Sequence, residues 1–312
     1  MAVTEPRGRL LLAYATVYLV WGSSYMGMKV AVETMPPLPM AGVRYLLAGL
    51  VLLAFTFARS PARPTRAEWR AATVVGMALM GSNAAVAFAI KRIPSGVAAL
   101  LVATTPAWML LMEWWHDRSH RPARGVIPGI TLGLFGIALL VGPRQLLGSD
   151  AIDPLAAAAV VCGTFLWAWG SLRGRLGPRP ASSQLVSGMQ MVGGGASLLL
   201  LTALVGGFAA VDVAGFTMRS WLGFWFLVVF ASLGGFTAYV YLLQHATPAR
   251  ASTYAFVNPV VAVAIGAAVG GEPLTARVMA AAAVIVAGVA LIVLGPTATR
   301  QVQGGGGEEL PA

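Results

Sequence analysis

Charged residues are scarce in this chain of 312 residues, at 10% of the sequence where soluble domains have about a quarter. There is one cysteine, Cys162, so a disulfide framework and a metal site built on several thiolates are excluded. The sequence also lacks a phosphate-binding loop, an HExxH zinc motif and a catalytic triad pattern. These absences argue against an enzyme, and we expect neither a cofactor nor a metal.

Hydrophobic residues are abundant in the chain, at 58% of the sequence. About 20 apolar helical residues cross a bilayer core, and within lipid a helix satisfies all of its own backbone groups. Ten stretches of about that length carry almost no charge. The sequence therefore predicts an all-α polytopic membrane protein, with transmembrane helices at 10–32, 38–58, 69–90, 95–115, 125–142, 153–172, 184–206, 220–243, 250–271 and 276–295.

The net charge of +10 reflects membrane insertion rather than nucleic-acid binding, because the basic residues lie in the loops. With these spans, 14 of the 21 Lys and Arg residues fall on the side of the N-terminus. Basic residues concentrate on the cytoplasmic side of membrane proteins. We therefore predict a multi-pass protein of the bacterial inner membrane with both termini in the cytoplasm, in contact with the lipid bilayer and not with nucleic acid.

An internal repeat divides the chain. Residues 106–143 align without a gap to 259–296, and each segment begins with a mid-span proline and ends in Gly-Pro. The triplet at Trp21 (Trp-Gly-Ser) recurs at Trp169. We predict a cytoplasmic N-terminus (1–9), two five-helix repeats (10–143 and 152–296) and a flexible tail (297–312).

Because five is odd, the second repeat enters the membrane from the opposite side, so that the halves are inverted relative to each other. Inverted repeats recur in transporters, whose substrate sites lie near the membrane midplane at the repeat interface. A duplicated scaffold that transports nothing is the alternative.

Several motifs resemble the EamA family of the drug/metabolite transporter superfamily. They are the segments 21–25, 36–37 and 41–49 in the first repeat, and 94–100 and 254–262, which look most like the YedA-type exporters of that family. The resemblance implies ten helices in two repeats and export of small metabolites or drugs. Relatives often have a polar or acidic pair where this chain has Ala89-Ile90, so the chain departs from the family pattern at that position.

An aromatic stripe runs along the first span. Its members are three or four residues apart and therefore share a helix face: Tyr14, Tyr18, Trp21, Tyr25 and Lys29. Trp21 lies too deep for an interfacial belt, so it either lines a central path or packs between helices. In the sixth span, Trp167 and Trp169 occupy the related region, and we expect one of them to line the cavity.

Ionisable residues inside the spans are few. Arg44 lies about 9 Å inside the second span, where a charge is costly and usually serves a role. It could pair with Glu33, bind a substrate carboxylate or extend toward the surface. We assign Lys29, Arg44 and Glu113 to gating or structural roles.

Polar side chains at mid-depth complete the candidate cavity. Asn83 and Asn258 are amides within spans, and Asn258 precedes Pro259, which frees the carbonyl four residues back. Thr105 precedes Pro106 in the same way and exposes the carbonyl of Val102, unless a neighbouring hydroxyl closes it. Further candidates are Tyr239 and Tyr254.

The sequence thus predicts a secondary transporter, acting as an exporter of small metabolites or drugs, such as amino acids or amphipathic aromatic compounds, by alternating access. The mid-depth spans hold aromatic residues and no acidic one, which favours neutral or zwitterionic cargo. The alternatives are a membrane-embedded enzyme and a non-transporting scaffold. The expected partner is a small-molecule substrate, and a homodimer is left open.

Overall fold

The computed structural model describes residues 7–59, 63–93, 98, 101–116, 124–141, 153–180, 182–270 and 275–294. Within these residues the regular structure is entirely helical. The predicted tail 297–312 and residues 1–6 of the predicted N-terminal segment lie outside the described residues. The all-α prediction is therefore confirmed for the part of the chain that the structure describes.

Apart from short helical turns, the part of the chain that the structure describes forms ten helices, in the order that the hydrophobic stretches predict. The first five are α1 (7–31, with a π-helical turn at Val17–Trp21), α2 (Pro37–Arg59), α3 (Arg66–Ala89), α4 (Thr105–His116) and α5 (Val126–Val141). The second five are α6 (Pro154–Leu176), α7 (Ser183–Leu204), α8 (Met218–His245, with a π-helical stretch at Leu227–Phe236), α9 (Tyr254–Gly270, after a single turn at Pro248–Ala251) and α10 (Ala276–Leu294).

Polar caps fix where several of these helices begin. The side chain of Thr65 accepts a hydrogen bond from the backbone of Glu68, whose carboxylate bonds back to Thr65 and completes a capping box for α3. Asp153 accepts from two backbone N–H groups at the start of α6. Ser182 and Thr217 cap α7 and α8 in the same way. The caps satisfy N–H groups that a helix cannot pair internally.

The outer surface is apolar, as a bilayer requires. Six helices are long and apolar enough in their described residues to cross a membrane, namely α2, α3, α6, α7, α8 and α10. Large apolar side chains face outward along them, among them Leu200, Leu204, Phe230 and Leu294. Within the described residues, α4 has 12 residues and α5 has 16.

Helix packing follows a twofold pattern that exchanges the two halves. The helices α2 and α7, which are counterparts, pack on each other, and so do α5 and α10. The other extensive interfaces come in exchanged pairs: α3–α6 with α8–α1, α4–α6 with α9–α1, and α7–α3 with α2–α8. This pattern confirms the predicted architecture of two inverted five-helix repeats. The repeat boundaries at 10–143 and 152–296 stay a prediction.

Glycines bring α2 and α7 together at the centre of this symmetry. A Cβ on Gly42 would meet Leu199, and a Cβ on Gly188 would meet Leu53. A second exchanged pair joins Gly49 to Val192 and Gly195 to Leu46. Small residues allow such close approach of helices in membranes. Gly42 and Gly188 are counterparts in the two repeats, and the same difference in residue number relates Arg44 to Gln190. Gln190 is therefore the counterpart of Arg44.

We expect Gly76→Ala to destabilise the protein, because a Cβ on Gly76 of α3 would lie 2.8 Å from the Gln190 carbonyl carbon and 2.9 Å from the Gly194 backbone nitrogen of α7. Such overpacking costs about 1–3 kcal/mol. Gly81→Ala on the same helix is the matched control, since its Cβ meets no atom within 4 Å. Thermal unfolding of purified protein in detergent should show a lower Tm for Gly76→Ala alone, and equal Tm values for the two variants would contradict this packing.

Candidate functional site

A cavity lies between the two halves. We call the side where α1 begins the terminal side and the side where α1 ends the far side; the cavity occupies the far-side half of α1, α2 and α3. The cavity has a volume of about 80 Å³. Its lining residues come from seven helices: Trp21, Ser24, Tyr25, Met28, Arg44, Tyr45, Ser82, Asn83, Val86, Val102, Thr105, Thr164, Trp167, Ala231, Phe236, Tyr254 and Asn258.

Four aromatic side chains form one packed group at the cavity, which we call the aromatic cluster: Trp21, Trp167, Tyr239 and Tyr254. The Trp21 ring centroid lies 4.9 Å from that of Tyr254, 5.0 Å from Tyr239 and 5.5 Å from Trp167. The Tyr254 and Trp167 contacts of Trp21 are edge-to-face, the geometry that aromatic quadrupoles favour. The cluster joins α1 of the first half to α6, α8 and α9 of the second half.

Hydrogen bonds hold the polar ends of the cluster. The Trp167 indole N–H donates to the Tyr239 hydroxyl over 3.0 Å. Ser171 donates to the Trp167 carbonyl at 2.7 Å, so the Tyr239 hydroxyl donates to Ser171, also at 2.7 Å. The Trp21 indole N–H donates to the carbonyl of Ala231, within the π-helical stretch of α8, at 3.1 Å. Both indoles are thereby fixed in orientation.

Arg44 is buried in the cavity wall and is only 3% exposed. Its Nε donates to the Ser232 hydroxyl and its Nη2 to the Tyr45 hydroxyl, each over 2.9 Å. The guanidinium also lies 4.4 Å from the Tyr45 ring centroid, a cation–π contact. The Nη1 atom has no hydrogen-bond partner among the residues that the structure describes. Of the roles the sequence left open, pairing with Glu33 and extension to the surface are wrong, because Glu33 pairs with Arg219 (3.5 Å) and Arg44 is buried.

The two amides and the threonine predicted at mid-depth differ in whether their side chains have hydrogen-bond partners. Asn83 and Asn258 line the cavity, and the Oδ1 atom of each is buried without a partner within the described part of the chain. Thr105 also lines the cavity, but its hydroxyl donates to the Val102 carbonyl at 2.6 Å. The hydroxyl therefore closes the carbonyl that Pro106 frees, so the packing alternative holds at that position.

Two of the nine predicted lining residues do not reach the cavity. Trp169 is 38% exposed on the outer surface, because residues two apart on a helix point in nearly opposite directions and Trp167 takes the inner position. The match of the Trp-Gly-Ser triplets is therefore not a structural equivalence. Tyr239 is fully buried behind Trp21 and Trp167, where its hydroxyl accepts a hydrogen bond from Trp167 and donates one to Ser171.

The other predicted charges lie apart from the cavity. Lys29 is exposed at the end of α1, and Met28 takes the lining position instead. Glu113 is half-buried on α4 and lies close enough to Arg175 to interact with it electrostatically. Neither residue lines the cavity.

Sequence reasoning missed the residues that hold Arg44, namely Ser232 on α8 and its own neighbour Tyr45. A serine inside an apolar stretch carries no periodic signal, and only the α2–α8 contact gives it a role. Tyr45 could have been noticed as an aromatic hydroxyl adjacent to a buried charge.

On the terminal side, hydrogen bonds join α1, α6, α7 and α8 to one another and to the turn before α9. Tyr18 of α1 and Thr253 share one at 2.6 Å. Arg175 of α6 donates to the Ala246 carbonyl at 2.7 Å. Ser183 of α7 donates to Gln244 of α8 at 2.6 Å. We call these three contacts the terminal-side seal.

Two small voids lie near this seal within the described part of the chain. Each has a volume of about 10 Å³, and both are lined by Gln190 of α7 together with residues of α3 and α6. Among the described residues, no group of three or more His, Cys, Asp and Glu side chains is placed to hold a metal ion.

Comparison with known proteins agrees with this architecture. The model of the EamA-like transporter family matches residues 8–142 and, separately, 154–294. The chain is 34% identical over 287 residues to the inner membrane transporter YedA of Escherichia coli K12, covering 91% of this chain and 90% of YedA. It is 28% identical to a Salmonella typhimurium LT2 protein named "Probable amino-acid metabolite efflux pump", over 89% of this chain and 93% of that one.

The fold also recurs in a solved structure. A crystal structure that is 19% identical in sequence superposes with a TM-score of 0.74 over 93% of this chain and 98% of that one. The relatives are named as transporters or efflux pumps rather than enzymes, as predicted for this chain. The chain is a multi-pass inner-membrane transporter and belongs to the EamA-like transporter family.

Proposed function

We propose that this chain exports small amphipathic metabolites or drugs, aromatic ones included, by alternating access between its two inverted halves, with the cavity as the substrate site. The proposal is supported by the position of the cavity at the repeat interface, where transporters of inverted-repeat architecture bind their substrates. A relative is named as an efflux pump, which supports the outward direction.

The observation that carries the proposal is an asymmetry in the cavity lining. Helices α1 and α6, α3 and α8, and α4 and α9 all contribute, so three pairs of counterparts line the cavity. Helix α2 contributes Arg44 and Tyr45, while its counterpart α7 contributes none of the lining residues described. Helix α7 instead borders the two small voids on the terminal side.

This arrangement is what one of two mirror-related states should look like. In the other state, α7 would line a cavity on the terminal side and α2 would close the far side. Reaching it requires breaking the terminal-side seal, whose hydrogen bonds each contribute about 0.5–1.5 kcal/mol. A few such bonds are weak enough to be exchanged for equivalent contacts on the far side during a transport cycle.

Cargo binding also requires some opening of the cavity. Its 80 Å³ is small beside the roughly 300–1,000 Å³ of pockets that hold drug-sized ligands. The aromatic cluster is the closed contact that a cargo would separate or stack against.

The first prediction concerns the two tryptophans of α6. Trp167→Ala removes a cavity wall and the partner of Tyr239, whereas Trp169→Ala, two residues away, changes only the lipid-facing surface. In proteoliposomes tested with labelled amino acids, amphipathic aromatic drugs and sugars, we expect Trp167→Ala to slow the flux of the carried probe about 10-fold or more, a loss of ~1.4 kcal/mol or more. Trp169→Ala should stay within about twofold. Equal losses would place the path elsewhere, and no flux of any probe would favour the scaffold alternative.

The second prediction concerns orientation, for which we propose that both termini are cytoplasmic and that the cavity therefore lies on the periplasmic half. In a Cys162→Ala background, single substitutions Pro61→Cys, Pro122→Cys and Gly148→Cys should be labelled differently by an impermeant thiol reagent added to intact cells. Only the cysteine at 148 should react, because the loops holding the other two belong to the basic side. Permeabilised cells, in which all three react, are the control; the opposite pattern would invert the proposal.

The third prediction concerns coupling. Proton-driven carriers need a group in the transport path that gains and loses a proton. The described lining of the cavity contains no carboxylate and no histidine, and Arg44 stays charged at physiological pH. We propose that transport is facilitated efflux or exchange driven by the gradient of the cargo itself.

Counterflow in proteoliposomes should accordingly be fast without a pH gradient, and an imposed pH gradient should not drive uphill accumulation. The Glu113→Gln variant is the informative comparison, because Glu113 is a carboxylate on α4 that interacts electrostatically with Arg175, a member of the terminal-side seal. Uphill accumulation that disappears in Glu113→Gln would assign proton coupling to Glu113 and contradict the proposal.

A further inference from the structure

Arg44 is a buried cation that the protein leaves partly unsatisfied. A charge at membrane depth costs several kcal/mol unless other groups compensate for it. Two of the three guanidinium nitrogens are bonded, Nε to Ser232 and Nη2 to Tyr45, both neutral hydroxyls. The third nitrogen, Nη1, is buried and has no partner among the described residues.

No counter-charge accompanies this cation in the described part of the cavity. The lining residues include no Asp or Glu. Glu33, the acidic residue nearest in sequence, pairs with Arg219 on the far side. Hydroxyl partners satisfy hydrogen bonds but do not neutralise charge, and a buried ion without its partner is strongly destabilising.

The two hydroxyls also fix the guanidinium in space. Ser232 holds the edge that carries Nε, and the adjacent side chain of Tyr45 holds Nη2 while its ring supports the guanidinium plane. A guanidinium held in this way is a pre-organised receptor for a carboxylate, since its planar fork matches the two carboxylate oxygens.

The same cavity offers complementary groups for the rest of such a molecule. The buried Oδ1 atoms of Asn83 and Asn258 can accept hydrogen bonds from an N–H or O–H donor, and within the described residues they have none. The aromatic cluster provides a surface for an apolar or aromatic body. Together these groups fit a small molecule with a carboxylate at one end and an aromatic or apolar body at the other.

We propose that Arg44 is the substrate anchor of this transporter and that its Nη1 binds a carboxylate of the cargo, which supplies the missing counter-charge. Cargo is then anionic or zwitterionic, and neutral or cationic analogues without the carboxylate bind more weakly. This assignment rests on the proposed function and narrows its substrate class.

Three probes of one shape test the assignment by equilibrium binding to purified protein in detergent, measured by calorimetry. They are phenylalanine, 3-phenylpropionate and phenylalaninamide, of which the first two carry a carboxylate and the third an amide in its place. We expect the two carboxylates to bind the wild-type protein about 10-fold more tightly or better, the size of one charge-assisted hydrogen bond.

Variants locate the effect. Arg44→Gln should weaken binding of both carboxylates about 10-fold and leave phenylalaninamide within about twofold. Arg44→Lys, which keeps the charge without the fork, should fall between. Arg59→Gln, at the end of the same helix and stacked on Phe55 at 3.9 Å outside the cavity, is the matched control and should bind like the wild type.

The outcomes separate this assignment from the transport function. If the wild-type protein binds carboxylate and amide equally, or if the preference survives in Arg44→Gln, Arg44 is not the anchor, although transport stands. Flux in proteoliposomes of uncharged or cationic probes only would also overturn the anchor and leave the transporter intact. Absence of both binding and flux for every probe would contradict the proposed function itself. The wild-type comparison needs no variant, so it decides even if Arg44→Gln fails to fold.

Discussion

The lipid bilayer offers no hydrogen bonds, and every polar group inside this protein must find its partner within the protein. That constraint removes charge from the spans and directs the remaining polar atoms toward the helix interfaces. The chain from Trp167 through Tyr239 to Ser171 shows the constraint satisfied, since each donor there meets an acceptor. Arg44, Asn83 and Asn258 are among the described side chains with a buried polar atom that lacks a partner, and these three line the cavity. Their unpartnered atoms are available to a ligand that enters there.

Duplication explains where that cavity forms. Glycines hold α2 and α7 at close range across the symmetry axis, and the exchanged pairs of interfaces follow from this contact. The symmetry is one of backbone packing and not of chemistry. Arg44 corresponds to Gln190, so one half carries the charge and the other a neutral amide of similar length. Gln190 is also buried with an unpartnered Oε1, within the described residues, beside the small terminal-side voids.

The sequence alone predicted the ten helices, their order and the inverted repeat, because long apolar stretches and an odd helix count follow from composition and spacing. It also brought seven cavity residues to attention, among them Trp21, Asn83 and Asn258. The sequence did not predict features that depend on the rotation of a helix about its own axis or on the neighbouring helix. Choosing between Trp167 and Trp169 requires knowing which face α6 presents inward, and the π-helical turn of α1 alters the phase between Tyr14 and Lys29. Ser232 acquires its role only from the approach of α8 to α2.

The chemical difference between the halves bears on how the carrier uses its gradient. If Arg44 binds a carboxylate on the far side and Gln190 takes its place in the mirror state, the two states hold the cargo with different affinities. Thermodynamic linkage then requires the difference in affinity to be balanced by the difference in conformational free energy between the states with and without cargo. Such asymmetry sets the cargo concentration at which each face saturates, but without coupling to another gradient it cannot set the direction of net flux. If transport is uncoupled, as we propose, net export by this protein follows from a higher cargo concentration inside the cell.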